Sequence, residues 1–152
     1  MPIKSIRQKI VDKIDDRFKT ISLPNGYETE AGSNVFWWRV HDLATSNLPA
    51  IVCRDRLRSE WDGVGSWLRV MTVDLEIHLI PDDTADVVMR QVLSDIEMCI
   101  GTDVTWGALA EDTKMLEQEK ITIEAHEDTF IALGISMEVE FKTLPWNPRT
   151  AS

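Results

Sequence analysis

Residues Trp67 to Ile80, WLRVMTVDLEIHLI, constrain the fold more than any other stretch. Trp67, Met71, Val73, Leu75, Ile77 and Leu79 fall on one side of an extended chain, with Arg69 the one polar intruder. Thr72, Asp74, Glu76 and His78 fall on the other side. A side-chain period of two over this length predicts a half-buried β-strand. One apolar face and one wet face predict an antiparallel sheet. At ~3.3 Å per residue such a strand would reach about 46 Å. A compact chain of this length has a radius of gyration near ~15 Å. The strand must therefore bend, bulge, or carry one end out of the body.

The 152 residues predict one domain, with 43% hydrophobic residues enough for a single core. Acidic residues outnumber basic ones 26 to 16, for a net charge of −10. A general grip on nucleic-acid phosphates needs a basic face, which this balance argues against; it leaves room for a basic patch on one loop. Cys53 and Cys99 lack metal-type spacing and are expected to be buried thiols. No signal peptide is evident, and no apolar run approaches the ~20 residues that span a bilayer. The expectation is a soluble protein made in the cytoplasm, with no membrane partner.

Ile3, Ile6, Ile10, Ile14 and Phe18 form one apolar stripe of a helix that docks on the sheet, with Pro2 suited to its first turn. Pro24-Asn25-Gly26-Tyr27 ends it, and a polar loop follows to Asn34. Val35 to Val40 is a strand by composition. Within it Trp37 and Trp38 would face opposite sides, one of them on the wet face. His41 to Asn47 is polar, and Leu48 to Arg54 predicts a short strand with Pro49 at its start.

Asp55 to Ser66, DRLRSEWDGVGS, fits no period. It joins two strands that should pair as a hairpin, and it is long for a hairpin loop. Arg54, Arg56, Arg58, Trp61 and Arg69 gather here in an otherwise acidic chain. Tryptophan and arginine are enriched where proteins bind each other. These five residues are the candidate assembly contacts, on a hairpin expected to project at about residues 54–69. The strict alternation begins only at Met71. Trp67 to Val70 is thus expected to leave the body with this arm, Arg54 to Ser66, and reach a neighbouring subunit or another component of its assembly.

After Ile80, Asp83 suits the N-cap of a second helix. Val88, Val92, Ile96 and Ile100 form its stripe, and Gly101 suits a left-handed C-terminal position. Thr102 to Lys114 is expected as a connector in which Trp106 and Leu109 plug the core. Lys120–His126 and Ile131–Phe141 alternate and form a hairpin, turning at Glu127-Asp128-Thr129. Pro145 and Pro148 are expected to prevent a further strand. The element order α-β-β-β-α-β-β predicts an α+β two-layer sandwich. A mainly antiparallel sheet of four or five strands would carry both helices on one face.

Motifs for chemistry are scarce. There is no P-loop, GxGxxG, CxxC or HExxH. His78, Glu76 and Glu138 would have to converge across strands to hold a metal, and a solvated face of mixed charge is the expected alternative. His41-Asp42 is a loop dipeptide. Glu117 and Glu119 near Asp112 make a candidate carboxylate pair, set against a plain solvated strand end. Neither cysteine has an evident histidine base. No catalytic residue, metal or cofactor is expected.

The N-terminal helix, the unit WLRVMTVDLEIHLIPDDTADVVMRQVLSDIEMCI and the closing IALGISMEVEFKTLPWNP resemble the tail terminator proteins of long-tailed bacteriophages. These are minor tail proteins of the type called U in lambda-like phages. The resemblance covers most of the chain in order and length, on patterns of apolar residues. It implies a small α+β subunit forming a hexameric ring in the virion, at the head-proximal end of the tail. That ring would cap the tail tube, stop its polymerisation and present a surface to head-completion proteins, with DNA only passing through the lumen. It implies no catalytic residues. Two alternatives stand beside it: a neck or head-completion protein or other ring-forming tail protein of the same virion, and a small enzyme with a histidine-carboxylate site.

Overall fold

The computed structural model describes residues 3–39, 43–116, 118–125 and 129–152. Helix α1 spans Ile6–Phe18 and helix α2 spans Ala85–Gly101. The strands are β1 Val35–Trp37, β2 Ala50–Trp61, β3 Trp67–Leu79, β4 Asp112–Met115, β5 Lys120–Ala125, β6 Thr129–Leu144 and β7 Asn147–Ala151. They form one sheet in which β1, β2, β3 and β6 lie side by side. Along the far edge of β6, the short strands β5, β4 and β7 pair in turn.

The long strand neither bends out nor bulges. β3 pairs residue for residue with β2, from Trp61↔Trp67 to Ala50↔His78. It pairs as continuously with β6, from Trp67↔Thr143 to Leu79↔Ile131. Its excess length is taken up by two long partners, β2 of 12 residues and β6 of 16, against its own 13. The fold is α+β as the pattern predicts, but the sheet has seven strands and is mixed, because β1 runs parallel to β2.

Both helices cover the same face. Ile6, Ile10, Ile14 and Phe18 of α1 and Val92, Ile96, Cys99 and Ile100 of α2 share one apolar cluster with the odd-numbered residues of β2, β3 and β6. Ile51, Met71, Val73, Leu75, Ile77, Leu133, Met137, Val139 and Phe141 form the sheet side of that cluster. Burying a side chain of this size contributes ~1.5–3 kcal/mol, so the face fixes the register of every long strand. Trp106 plugs the core completely, edge-on to Phe18, with its indole N–H on Thr113 Oγ1 at 2.8 Å. Leu109 packs against the same cluster half-buried.

Several local expectations are corrected. Asp55 to Trp61 is strand, and the hairpin turn is only 62–66. Polar residues on both faces hide the alternation there; cross-strand pairing with β3 and the half-buried Leu57 sustain it. Residues 112–115 are a strand rather than connector, because they fill the β6 edge opposite Met137 to Glu140. The closing prolines do not prevent β7. Pro148 sits on an edge strand that meets β6 only at Thr143↔Ala151 and Leu144↔Asn147, through a bulge, so its missing N–H disrupts no central ladder.

The helix caps also differ. Ser5 caps α1 by accepting the Gln8 N–H at 3.1 Å, which leaves Ile3 exposed outside the helix. Pro2 lies outside the described residues. Thr84, not Asp83, precedes α2, and Asp82 instead binds the Thr84 N–H and hydroxyl at 2.8 and 2.7 Å. Gly101 is the last helical residue, and the following Thr102 is right-handed. β1 stops at Trp37 because Trp38 adopts φ 52°. Its indole then reaches Asp55 Oδ1 at 2.8 Å, on the helix side of the sheet rather than the wet side. His126, Glu127 and Asp128 of the β5–β6 connection, and Val40, His41 and Asp42, lie outside the described residues.

Candidate functional site

The sheet separates the five candidate contact residues onto two faces. Arg54, Arg56 and Arg58 project from the even side of β2, away from the helices. Arg54 pairs with Glu76 at 3.3 Å and donates to the Arg39 carbonyl at 3.1 Å. Arg56 lies 3.6 Å from Asp74 and Arg58 3.1 Å from Glu60. Arg56 and Arg58 are exposed, so these pairs are each worth only ~0–1 kcal/mol and can be exchanged for others.

Trp61 and Arg69 lie on the helix side. Trp61 is 59% exposed at the end of β2. Arg69 is buried. Its guanidinium donates to Thr143 Oγ1 at 3.2 Å and Ser59 Oγ at 2.6 Å, and lies 4.6 Å over the Trp67 ring. Burial lowers its pKa. Trp67 in turn meets Trp146 edge-on at 4.4 Å. Arg69 thus ties β2, β3 and β6 together beyond the apolar core. The end of the long strand is held in a multi-stranded sheet, not in a two-stranded ribbon. The turn that closes it is set by Asp62, whose Oδ1 accepts the N–H groups of Val64 and Ser66 at 2.8 and 3.0 Å. Those two N–H bonds hold its carboxyl below the usual range. Gly63 and Gly65, at φ 83° and 110°, supply the left-handed backbone the turn needs.

Among the described residues β1, β4, β5 and β7 each pair on one side only, so the sheet is open along both of its margins. β1 covers the outer side of β2 only as far as Cys53, whose carbonyl accepts the Trp38 N–H at 2.9 Å. From Asp55 to Trp61 that side meets no strand. At Asp55, the Arg7 guanidinium binds the carboxylate at 2.7 Å and Trp38 donates to it, so α1 and the end of β1 are anchored just where the open edge begins. On the opposite margin the outer side of β5 is open, because β5 pairs only with β6. There Ile121 and Ile123 are 56% and 66% exposed on the helix side. The alternation of residues 120–126 predicts a core strand, and it gives no sign that these isoleucines lie beyond the helix layer.

The wet face holds a concavity of about 640 Å³ above Gly134, lined by Arg54, Asp74, Glu76, Gln118, Lys120 and Ser136. Four of its polar groups are paired: Ser136 donates to Asp74 at 2.6 Å, and Glu76 holds Arg54 and also His78, the latter at 2.7 Å. The His78 hydrogen bond is the chief cause of the lowered Glu76 pKa. Glu138 does not join them. It stands opposite Thr72, six residues from His78 along β3, about 20 Å at ~3.3 Å per residue. Among the described residues no three His, Cys, Asp or Glu side chains are grouped to hold a metal. Cys53 and Cys99 are buried, and desolvation pushes both thiols up. His41, Asp42 and Glu117 lie outside the described residues. Among those residues, no helix is long and apolar enough to cross a membrane.

Asp95 has no counterpart in the sequence expectations. It is fully buried in α2, and its carboxylate accepts the Glu28 N–H, the Thr29 N–H and the Thr29 hydroxyl at 2.9, 2.9 and 2.7 Å. It fastens the loop after α1 to α2. The available signal was an acidic residue directly beside the stripe residue Ile96. No known family model matches the chain, and no curated protein matches it in sequence.

Proposed function

We propose that this protein is a tail terminator of a long-tailed bacteriophage. In this role it is a structural subunit of the virion, not an enzyme. Six copies form a ring that caps the tail tube, ends its polymerisation and offers a surface to the head-completion protein. The observation that carries the reading is the open β2 edge, ending in the exposed Trp61, on a sheet whose opposite side carries a second open edge. Subunits of a ring need two different contact surfaces, and exposed strand edges pair readily with another chain. The sequence resemblance supplies the class of assembly. A charge of −10 per copy suits a lumen through which DNA slides without adhering.

The test is electron microscopy of particles made without this protein, together with the solution mass of the purified chain. A terminator defect gives overlong tube polymers, and the chain has hexameric mass alone or with tube protein. Normal tails left unattached to heads would overturn the proposal in favour of a head-completion role.

A further inference from the structure

We infer that one copy's β2 edge pairs antiparallel with the next copy's β5 edge, with Leu57 opposite Ile123. This rests on the ring proposed above and assigns the surfaces that close it.

Backbone polarity comes first. β1 takes its hydrogen bonds from Ile51 N–H and Cys53 C=O, so the odd residues of β2 point their backbone groups outward. That alternation continues through Leu57, Ser59 and Trp61. On β6, the carbonyls of Ser136 and Glu140 face the β4 and β5 side, so the even residues of β6 bond inward to that edge. Lys120, Thr122 and Glu124 stand opposite even β6 residues. The odd residues Ile121 and Ile123 therefore hold the outward-facing groups of β5. Two edges that both offer odd residues pair odd with odd, and odd side chains of both copies then share the helix side.

Direction and side chains agree. β2, β3, β6 and β5 alternate in direction, so a neighbour related by rotation about a ring axis brings β5 antiparallel to β2. With Leu57 opposite Ile123, Ser59 faces Ile121, and Trp61 lies diagonal to Ile121. The exposed isoleucines and Trp61 cover one another. On the wet face, Arg56 comes opposite Glu124, Arg58 opposite Thr122, and Glu60 opposite Lys120. Both charged pairs are of opposite sign. Sliding β5 so that Ile121 meets Leu57 would set Arg58 against Lys120, a like-charge pair, and sliding it the opposite way would move Ile123 off Leu57 and onto Ser59.

The two edges are offset along the strands. Thr122 lies in the row of Ala132, His78 and Ala50, while its partner Arg58 lies eight residues further along β2. That offset is about 26 Å, against about 19 Å of lateral advance across four strands. A closed ring accommodates it with strands tilted about 54° from the axis, steeper than the ~35–45° of ordinary barrels. With less tilt the same contact winds into an open helix.

The test is a charge swap read by light scattering. Arg56→Glu alone and Glu124→Arg alone should each lower the assembly mass about sixfold, to the monomer, with a thermal midpoint equal to that of the dilute, monomeric wild-type chain. The double variant R56E/E124R should restore it. Independently, an R58C/T122C chain should form an inter-chain disulfide ladder on oxidation, while either cysteine alone gives none. The inference is overturned if the singles keep native mass, or if the double stays monomeric and no R58C–T122C disulfide forms. A hexamer indifferent to all four changes sinks this pairing and leaves the ring. Rescue and disulfides in an open helical polymer support the pairing and sink the ring.

Discussion

At Asp95 a carboxyl group is fully buried, and three donors from one loop turn point at it. Hydrogen bonds to an ionised acceptor are strong, and removing the acceptor strands its donors. Asp95→Ala is expected to cost about 2–4 kcal/mol in urea unfolding, with Asp95→Asn costing less because one carbonyl oxygen remains. Gly32 is constrained differently. A Cβ there would stand 2.6 Å from the Ile21 carbonyl oxygen and 2.7 Å from that of Phe18, both backbone atoms that cannot swing away. Gly32→Ala should therefore destabilise by ~1–3 kcal/mol, the usual cost of forcing extra volume into a packed site. Asp103 is the carboxyl whose surroundings lower its pKa most. The hydroxyl and N–H of Thr105 and the N–H of Gly107 hold its carboxyl at about 2, below its ordinary 3.8. A carboxyl lowered on folding stabilises the fold above its unfolded pKa, and that contribution fades as pH falls through the folded value. The thermal midpoint should hold above pH ~4 and fall toward pH ~2. Asp103→Asn should flatten that fall; an unchanged profile would place the acid sensitivity elsewhere, at Asp62, Asp82 or Glu76.

Among the elements, β3 contrasts a core strand with a surface edge. Leu75 is 1% exposed in the middle of β3, and Leu75→Ala should cost ~2–5 kcal/mol. Replacing both Arg56 and Arg58 by Glu should change the monomer's stability by only ~0.5 kcal/mol, because both are exposed on the wet face. Loss of fold in that variant would mean that the Asp55–Trp61 part of β2 also belongs to the core. The same contrast explains what the sequence disclosed. Met71 to Leu79 is legible because each odd residue is apolar and each even one polar. β2 beyond Arg54 is not, because its helix-side residues Asp55 and Ser59 are polar and held by Arg7 and Arg69 from other elements. β4 and β7 were hidden for a related reason. Short edge strands take their conformation from β6, and nothing in Asp112–Met115 or Asn147–Ala151 alone requires it. Of the candidate contacts, Arg56, Arg58 and Trp61 are exposed and Arg54 is half-buried. Arg69 is buried, and the sequence could not show that Ser59 and Thr143 would converge on it. Ile121 and Ile123 were missed since exposure depends on where the helix layer ends, which periodicity within one strand does not encode.

For the molecule as a whole, the sheet is longer than the helices that cover it, and its uncovered parts lie at opposite corners. Asp55 to Trp61 is at one corner and Lys120 to Glu124 at the other. Isolated open edges invite uncontrolled pairing, and proteins normally blunt them with charge. Here Arg56, Arg58 and Glu60 line one edge, and Lys120 and Glu124 line the other, in an order that rejects a displaced register. An interface built this way contains two ion pairs around an apolar centre of Leu57, Trp61 and the two isoleucines. Exposed ion pairs are screened within ~8 Å at physiological ionic strength, whereas apolar burial is strengthened by salts such as sulfate. The assembly should therefore weaken with added sodium chloride and recover when sodium sulfate supplies the same ionic strength. Sedimentation velocity across the two salt series checks this. Equal loss of assembly in both salts would mean that charge alone holds the copies together, and the isoleucines of β5 would then lie outside the contact.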